Sequence, residues 1–174
     1  MTGCNSQCRY EAESCDPDCS PGPVEDNEFL CRGAFNPRHF KKGKLQPSFI
    51  PKKELAESRL SVYRESNKVA FSREAVIDQI RKTGSADQSL ESVLSAEVIR
   101  IRAISAPGVT GRVLCVRDEC ECDRSGGKHP AHAHIAMCEK SFPAPIDSQA
   151  DIFLQVWRDL VTLFREQQQQ LSGA

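Results

Sequence analysis

The second half of the chain holds a close set of cysteine and histidine residues, which are the side chains best suited to binding zinc. They are Cys120, Cys122, His129, His132, His134 and Cys138. Thiolate sulfur and imidazole nitrogen are typical zinc ligands. We expect this set to converge on a metal ion, either as a closed structural site or with an open position for an activated water. The alternative interpretation places the histidines on a solvated sheet face and leaves the cysteines as small hydrophobic residues or loop thiols.

His132 and His134 also support a hypothesis without metal. The two imidazoles stand at i and i+2, on one face of a predicted strand. Because imidazole titrates near neutral pH, the pair could act as general acid and base in a hydrolase of phosphate esters or nucleic acid. Arg100, Arg102 or the basic residues of the N-terminal half would then bind the phosphate.

A second group of cysteines lies near the start of the chain. The spacing is Cys4-x3-Cys8-x6-Cys15-x3-Cys19. Four thiolates within sixteen residues match the number that a tetrahedral zinc site needs, and an iron–sulfur cluster, which we favour less, uses the same ligands. Free thiols in a disordered tail and two disulfides are the other interpretations.

Charge is unevenly distributed over the first 53 residues. Residues 1–28 contain seven acidic residues and one arginine, whereas residues 29–53 contain seven basic residues and no acidic one. Three aromatic residues, Phe35, Phe40 and Phe49, are interleaved with the basic residues of this block. These basic residues are Arg32, Arg38, Lys41, Lys42 and Lys44. Basic side chains contact the phosphates of a nucleic acid, and aromatic rings stack on its bases. This pattern therefore predicts binding of single-stranded nucleic acid. The alternatives are oppositely charged solvated stretches and phenylalanines that anchor the core.

The elements that position these residues belong to one domain. The chain has 174 residues, 39% hydrophobic and 27% charged, which is typical of a globular protein with its own core. We expect a cysteine-rich, metal-binding appendage over residues 1–27, a single α+β domain over 28–166 and a disordered tail over 167–174.

The longest apolar runs are far shorter than a membrane span. No basic start followed by an apolar stretch is present, so we expect a cytoplasmic protein with reduced cysteines.

Periodicity gives the fold class. We predict a small antiparallel or mixed sheet packed by one to three helices. The predicted strands are FLCRGAF from residue 29, Arg59–Tyr63, Val98–Ile104, Gly111–Val116 and His132–Cys138. The predicted helices are one capped by Ser72 and ending at Gly84, a weak one over Ser89–Leu94, and a long amphipathic one opened by a Ser148/Asp151 capping box.

Four short stretches carry a resemblance to other proteins. They are Phe29-Leu30-Cys31-Arg32, Gly43-Lys44-Leu45-Gln46-Pro47-Ser48-Phe49, Leu60-Ser61-Val62-Tyr63-Arg64 and His129-Pro130-Ala131-His132-Ala133-His134-Ile135. The chain here resembles a small uncharacterised group of bacterial proteins that pair a Leu-Ser-Val segment with a later Pro-Ala-His-Ala-x-Ile strand. The resemblance implies that His132 is the shared histidine. It leaves Cys4, Cys8, Cys15, Cys19, Cys120 and Cys122 outside the pattern, as features of an added module.

Three functional hypotheses follow. We expect first a small binding or accessory protein with a structural zinc site and a protein partner, rather than an enzyme. The competing hypothesis is a hydrolase with His132 and His134 at its centre. The third is a nucleic-acid-binding protein that uses the basic block.

Overall fold

The computed structural model describes Glu11 and residues 22–67, 71–119, 121–122, 128–142 and 146–171, with the backbone alone at 121–122 and 128–129. The strands are β1 (Phe29–Asn36), β2 (Phe40–Lys41), β3 (Lys44–Leu45), β4 (Leu60–Glu65), β5 (Ser89–Glu97), β6 (Leu114–Asp118), β7 (Glu121–Cys122), β8 (Lys128–His129), β9 (His132–Met137) and β10 (Gln168–Gln170). The α-helices are α1 (Lys52–Ala56), α2 (Arg73–Lys82), α3 (Val98–Arg102) and α4 (Asp151–Glu166). The protein is therefore α+β, and the described residues form four α-helices where one to three were predicted.

Six of the strands form one antiparallel sheet. Their order is β10-β5-β1-β4-β9-β6, and the pairs β2–β3 and β7–β8 form two small hairpins. In the β4–β9 pairing, Ser61 lies opposite His134 and Tyr63 lies opposite His132. This register places the predicted histidines beside a serine and a tyrosine of the neighbouring strand.

Helices pack against both faces of the sheet. Helix α4 buries an apolar stripe, including Phe153, Val156 and Leu160, against the face that carries Val62 and Ile135. On the opposite face, α2 packs Val76 and Ile80 against Phe35 and Tyr63. Because residues alternate along a strand, β9 presents Ala133, Ile135 and Met137 to the α4 side and its histidines to the α2 side.

Most elements that have long or clear patterns are confirmed. The predicted strands around residues 29, 59 and 132 match β1, β4 and β9. The Ser72 hydroxyl accepts a hydrogen bond from the Ala75 N–H and caps α2, whose C-cap residue is Thr83. Helix α4 is present too, but its N-cap is Ala150 and no side chain bonds there, so the Ser148/Asp151 capping box was wrong.

Two predictions exchange helix and strand. Residues Ser89–Leu94, predicted as a helix, belong to β5, and Val98–Ile104, predicted as a strand, contains α3. Helix α3 buries Val98 and Ile101 and exposes Ile99. The apolar residues of this segment satisfy a helical i, i+3 spacing as well as an alternating one, so the pattern did not discriminate between the two.

The boundaries of two other predictions also change. The strand expected over Gly111–Val116 is shifted towards the C-terminus and becomes β6. Gln168–Gln170, predicted as part of a disordered tail, form β10 and pair with Ser92, Val93 and Leu94 of β5. A glutamine run of low complexity is thus ordered here because the edge of β5 supplies its backbone partners.

Glu11 contacts the opposite edge of the sheet. Its carboxylate accepts hydrogen bonds from the Val116 N–H at 2.6 Å and from Arg102 and Arg112, both at 2.9 Å. The acidic residue thereby pairs with cations of the main domain. None of the helices in the described ranges has the length and apolarity that crossing a bilayer requires.

Candidate active site

A cleft opens where β1 and β4 stop pairing. The two strands are paired from Phe29 opposite Glu65 to Cys31 opposite Tyr63, and beyond this point they separate. The Arg32 guanidinium fills part of the gap. It donates to the Ser61 and Phe49 carbonyl oxygens and forms an ion pair with Glu54 at 3.0 Å.

The space that remains is a cleft of about 430 Å³. Its polar lining includes Arg32, Arg38, His39, Arg59, Ser61 and Tyr63. This volume lies within the range of pockets that hold small molecules. We call this feature the β1–β4 cleft.

Ser61 and His132 form a hydrogen-bonded pair beside the β1–β4 cleft. The Ser61 Oγ lies 2.7 Å from the His132 Nε2, and the His132 Nδ1 lies 2.6 Å from the Glu119 carbonyl oxygen. Ser61 lines the cleft, whereas His132 is only 2% exposed and lies behind it. The Tyr63 ring contacts the His132 imidazole at a centroid distance of 5.6 Å.

The second bond fixes the tautomer of His132. A carbonyl oxygen only accepts hydrogen bonds, so the Nδ1 beside Glu119 must carry a hydrogen. In the neutral imidazole, the Nε2 is then the acceptor, and the Ser61 hydroxyl donates to it. This arrangement contains the parts of an activated nucleophile: a hydroxyl, an adjacent base and a third group that orients the base.

His134 has a different environment from its neighbour. Its ring meets that of His132 edge-on at 4.9 Å, and no hydrogen bond joins the two. Burial, followed by the charges of His132, Arg117 and Arg59, lowers the pKa of His134 to about 4. The His132 Nε2 is hydrogen-bonded to Ser61 and not to His134.

His39 supplies another imidazole at the β1–β4 cleft. Its Nδ1 accepts a hydrogen bond from the Phe35 N–H at 3.0 Å, so the Nε2 of the neutral ring carries the hydrogen. Burial, together with Arg38 and Arg32, lowers the pKa of His39 to about 4. The ring therefore remains a neutral donor at physiological pH.

The predicted metal sites lie largely outside the described residues. Those outside are Cys4, Cys8, Cys15, Cys19 and Cys120, together with the side chains of Cys122 and His129. Among the described side chains, no three histidine, cysteine, aspartate or glutamate residues form a group that could hold a metal ion.

His132, His134 and Cys138 are the members of the second cluster whose side chains are described. The rings of His132 and His134 contact each other on β9, and Cys138 lies one residue beyond the end of this strand. Zinc binding by either group of cysteines and histidines remains a prediction.

Three cysteines of the main domain are buried. Cys31 and Cys138 are reduced, and the Cys31 thiol donates to Glu65 at 3.1 Å and accepts from Arg73. Cys115 packs with Ala136 and Cys138, as expected of a small hydrophobic residue. It is disulfide-bonded, however, which departs from the expectation that the cysteines are thiols.

Two of the three phenylalanines of the basic block are buried, and the third, Phe40, is half-buried on β2. Phe49 is fully buried and Phe35 is 6% exposed, so their rings anchor the core and are not open to nucleic-acid bases. Arg32 is held by Glu54 and two carbonyl groups. Lys41, Lys42 and Lys44 are exposed on the β2–β3 hairpin.

Arg100 and Arg102, proposed as phosphate ligands, point to other partners. Arg100 pairs with Glu166, and Arg102 pairs with Glu11 and Asp26. Neither residue lines the β1–β4 cleft.

Sequence reasoning did not assign a role to Ser61, His39 or Arg59. In the sequence, Ser61 stands out only as part of a Leu-Ser-Val segment. The signal that could have identified it is the alternation of β4, which puts Ser61 and Tyr63 on one face of the sheet and the buried Leu60 and Val62 on the other. Their meeting with His132 depends on strand register, which no local pattern contains.

No protein family, no curated protein and no solved structure matches the chain. The resemblance to bacterial proteins that rests on short motifs therefore stays a prediction.

Proposed function

We propose that the protein is a hydrolase that cleaves an ester through a covalent intermediate on Ser61, with His132 as general base. The observation that carries the proposal is the Ser61 Oγ–His132 Nε2 contact of 2.7 Å, made with the imidazole oriented by Glu119. This replaces the expected His132/His134 pair with a Ser61/His132 pair.

The chemistry follows from the two hydrogen bonds. His132 accepts the Ser61 proton as the oxygen attacks the substrate, and the imidazolium that forms keeps its Nδ1–H bond to Glu119. The same proton is then available to the leaving group. A base that is almost fully buried is shielded from water, which strengthens its interaction with Ser61.

Positive charge near Ser61 supports the proposal. Arg38 and Arg59 line the same cleft. Guanidinium groups near an attacked centre stabilise the negative charge that develops in the transition state. The cleft thus offers a nucleophile and cationic groups within one small volume, and the base lies directly behind the nucleophile.

The test is a kinetic comparison of variants on chromogenic p-nitrophenyl esters, both acetate and phosphate. Ser61→Ala should abolish turnover, and His132→Gln should lower kcat/KM by about 10²–10⁴, the usual contribution of a general base. Both variants should melt within a few degrees of the wild type if the pair serves chemistry.

The matched control is Ser95→Ala. Ser95 is another serine of the sheet, but its hydroxyl donates to the Gln167 carbonyl oxygen and not to a histidine. Turnover that survives Ser61→Ala, or equal losses in Ser61→Ala and Ser95→Ala, would refute the proposal.

A further inference from the structure

The β1–β4 cleft has an excess of positive charge. Three arginines line it against one glutamate, Glu54. Arg32 uses its guanidinium on Glu54, Ser61 and Phe49, so its donors are directed into the protein. The charge available to a ligand is therefore that of Arg38 and Arg59.

Arg38 and Arg59 differ in how firmly they are held. Arg38 is exposed and makes no hydrogen bond or ion pair in the described part of the chain. Arg59 pairs with Glu57, and its side chain is 61% exposed, so this ion pair is in contact with water and weak. Both guanidinium groups are thus able to turn towards an anion at low cost.

His39 adds a neutral donor that is rigidly placed. The backbone on both sides of its ring is fixed, because the His39 N–H donates to Phe35 and the His39 carbonyl accepts from Gln46. With the Nδ1 held by the Phe35 N–H, the Nε2–H is left without a partner among the described residues. An anion at this position would receive a hydrogen bond from a group that cannot rotate away.

We infer that the β1–β4 cleft binds the phosphoryl group of a small phosphate monoester, with Arg38, Arg59 and the Nε2–H of His39 as its donors. The inference rests on the proposed function, since it names the substrate class of the same site. A tetrahedral dianion has several acceptor oxygens, which suits donors that come from separate residues. A volume of about 430 Å³ restricts the substrate to a small molecule.

The reaction is then a two-step phosphoryl transfer. The Ser61 oxygen attacks phosphorus, the bond from phosphorus to the leaving oxygen breaks, and the Ser61 proton passes through His132 to the released alcohol. Water next attacks the phosphoserine and gives its proton to His132, while the bond from Ser61 to phosphorus breaks. Ser61 recovers a proton from His132, and inorganic phosphate is released.

The test measures binding of the product, inorganic phosphate, by isothermal titration calorimetry. Wild type and Ser61→Ala should bind with Kd values within about twofold of each other, because Ser61 is not one of the donors. Arg38→Gln and His39→Asn should each weaken binding about tenfold or more, as expected when a hydrogen bond to a charged group is lost. Arg100→Gln, which changes an exposed arginine away from the cleft, should leave Kd unchanged.

The outcomes separate this inference from the proposed function. Saturable phosphate binding that depends on Arg38 supports the inference even if Ser61 variants show no loss of turnover. Absence of saturable binding, equal weakening by Arg100→Gln, or acetate binding as tight as phosphate binding would overturn it, even if Ser61 proves to be a nucleophile.

Discussion

At the scale of single residues, the decisive feature is that the imidazoles of His132, His39 and His134 have different hydrogen-bond partners. His132 has both nitrogens occupied, one by a hydroxyl and one by a carbonyl oxygen. His39 lines the cleft and accepts the Phe35 N–H at Nδ1, which leaves the hydrogen on Nε2. His134 contacts His132 only through its ring edge. Residue type alone would treat the three as equivalent.

His39 gives a testable dependence of stability on pH. Its pKa is about 4 in the folded protein, because of burial and of Arg38 and Arg32, against an ordinary value of 6.5. Between these values the unfolded chain binds the proton and the folded chain does not, so the free energy of unfolding should fall as the pH is lowered from 6.5 to 4.

Urea denaturation at several pH values checks this prediction. His39→Asn keeps an acceptor for the Phe35 N–H but does not titrate, so it should reduce the slope over this window. The slope that remains includes the contribution of His134, whose pKa is also lowered to about 4. A wild-type slope that is unchanged in His39→Asn would show that the imidazole is solvated in the folded state.

At the scale of elements, the site depends on the separation of β1 from β4 and on how closely α2 packs beside it. Gly33 lies on β1 and Ile80 lies on α2. A methyl group at Gly33 would overlap the Ile80 side chain and approach Leu90 at 2.9 Å and Phe35 at 3.0 Å. The absence of a side chain here allows the helix to approach the wall of the cleft.

Gly33→Ala should therefore destabilise the protein by about 1–3 kcal/mol, the usual cost of overpacking. It should also weaken phosphate binding, since Gly33 itself lines the cleft. Chemical denaturation measures the first effect, with Lys82→Ala at the exposed end of α2 as control. Stability equal to wild type would mean that α2 moves freely away from β1.

Several elements could be predicted from the sequence, because each has a clear alternation, cap or apolar stripe. They are strands β1, β4 and β9 and helices α2 and α4. Helix α3 and strand β5 could not be predicted, since a five-residue helix and an irregular strand are selected by their packing partners. The Ser61–His132 contact was inaccessible for the same reason: it joins residues 71 positions apart through strand register.

At the scale of the whole molecule, one buried cation joins distant parts of the chain. Arg64 is completely buried and forms two hydrogen bonds with Glu28 at 2.6 and 2.8 Å, one with Asp118 at 3.2 Å, and one with the Gly22 carbonyl oxygen at 2.8 Å. It thereby connects the segment before β1, strand β4 and the end of β6. Strand β4 also carries Ser61, so this network helps to hold the strand that bears the nucleophile.

Arg64→Met should lower the free energy of unfolding by about 3–5 kcal/mol, because it removes the buried cation that both the Glu28 and the Asp118 carboxylates bind. Arg81→Met removes an exposed pair with Asp78 and should cost no more than about 1 kcal/mol. Guanidinium denaturation measures the free energy of unfolding of both variants. Equal effects would show that the buried network contributes nothing beyond a surface ion pair.

The most direct test of the central claim is covalent labelling of Ser61 with a fluorophosphonate probe, followed by peptide mass spectrometry. The probe requires an activated serine and no knowledge of the natural substrate. We predict one phosphonylated residue, Ser61, with labelling lost in His132→Gln and retained in Ser95→Ala. Absence of label on Ser61, or equal labelling in His132→Gln, would contradict the account.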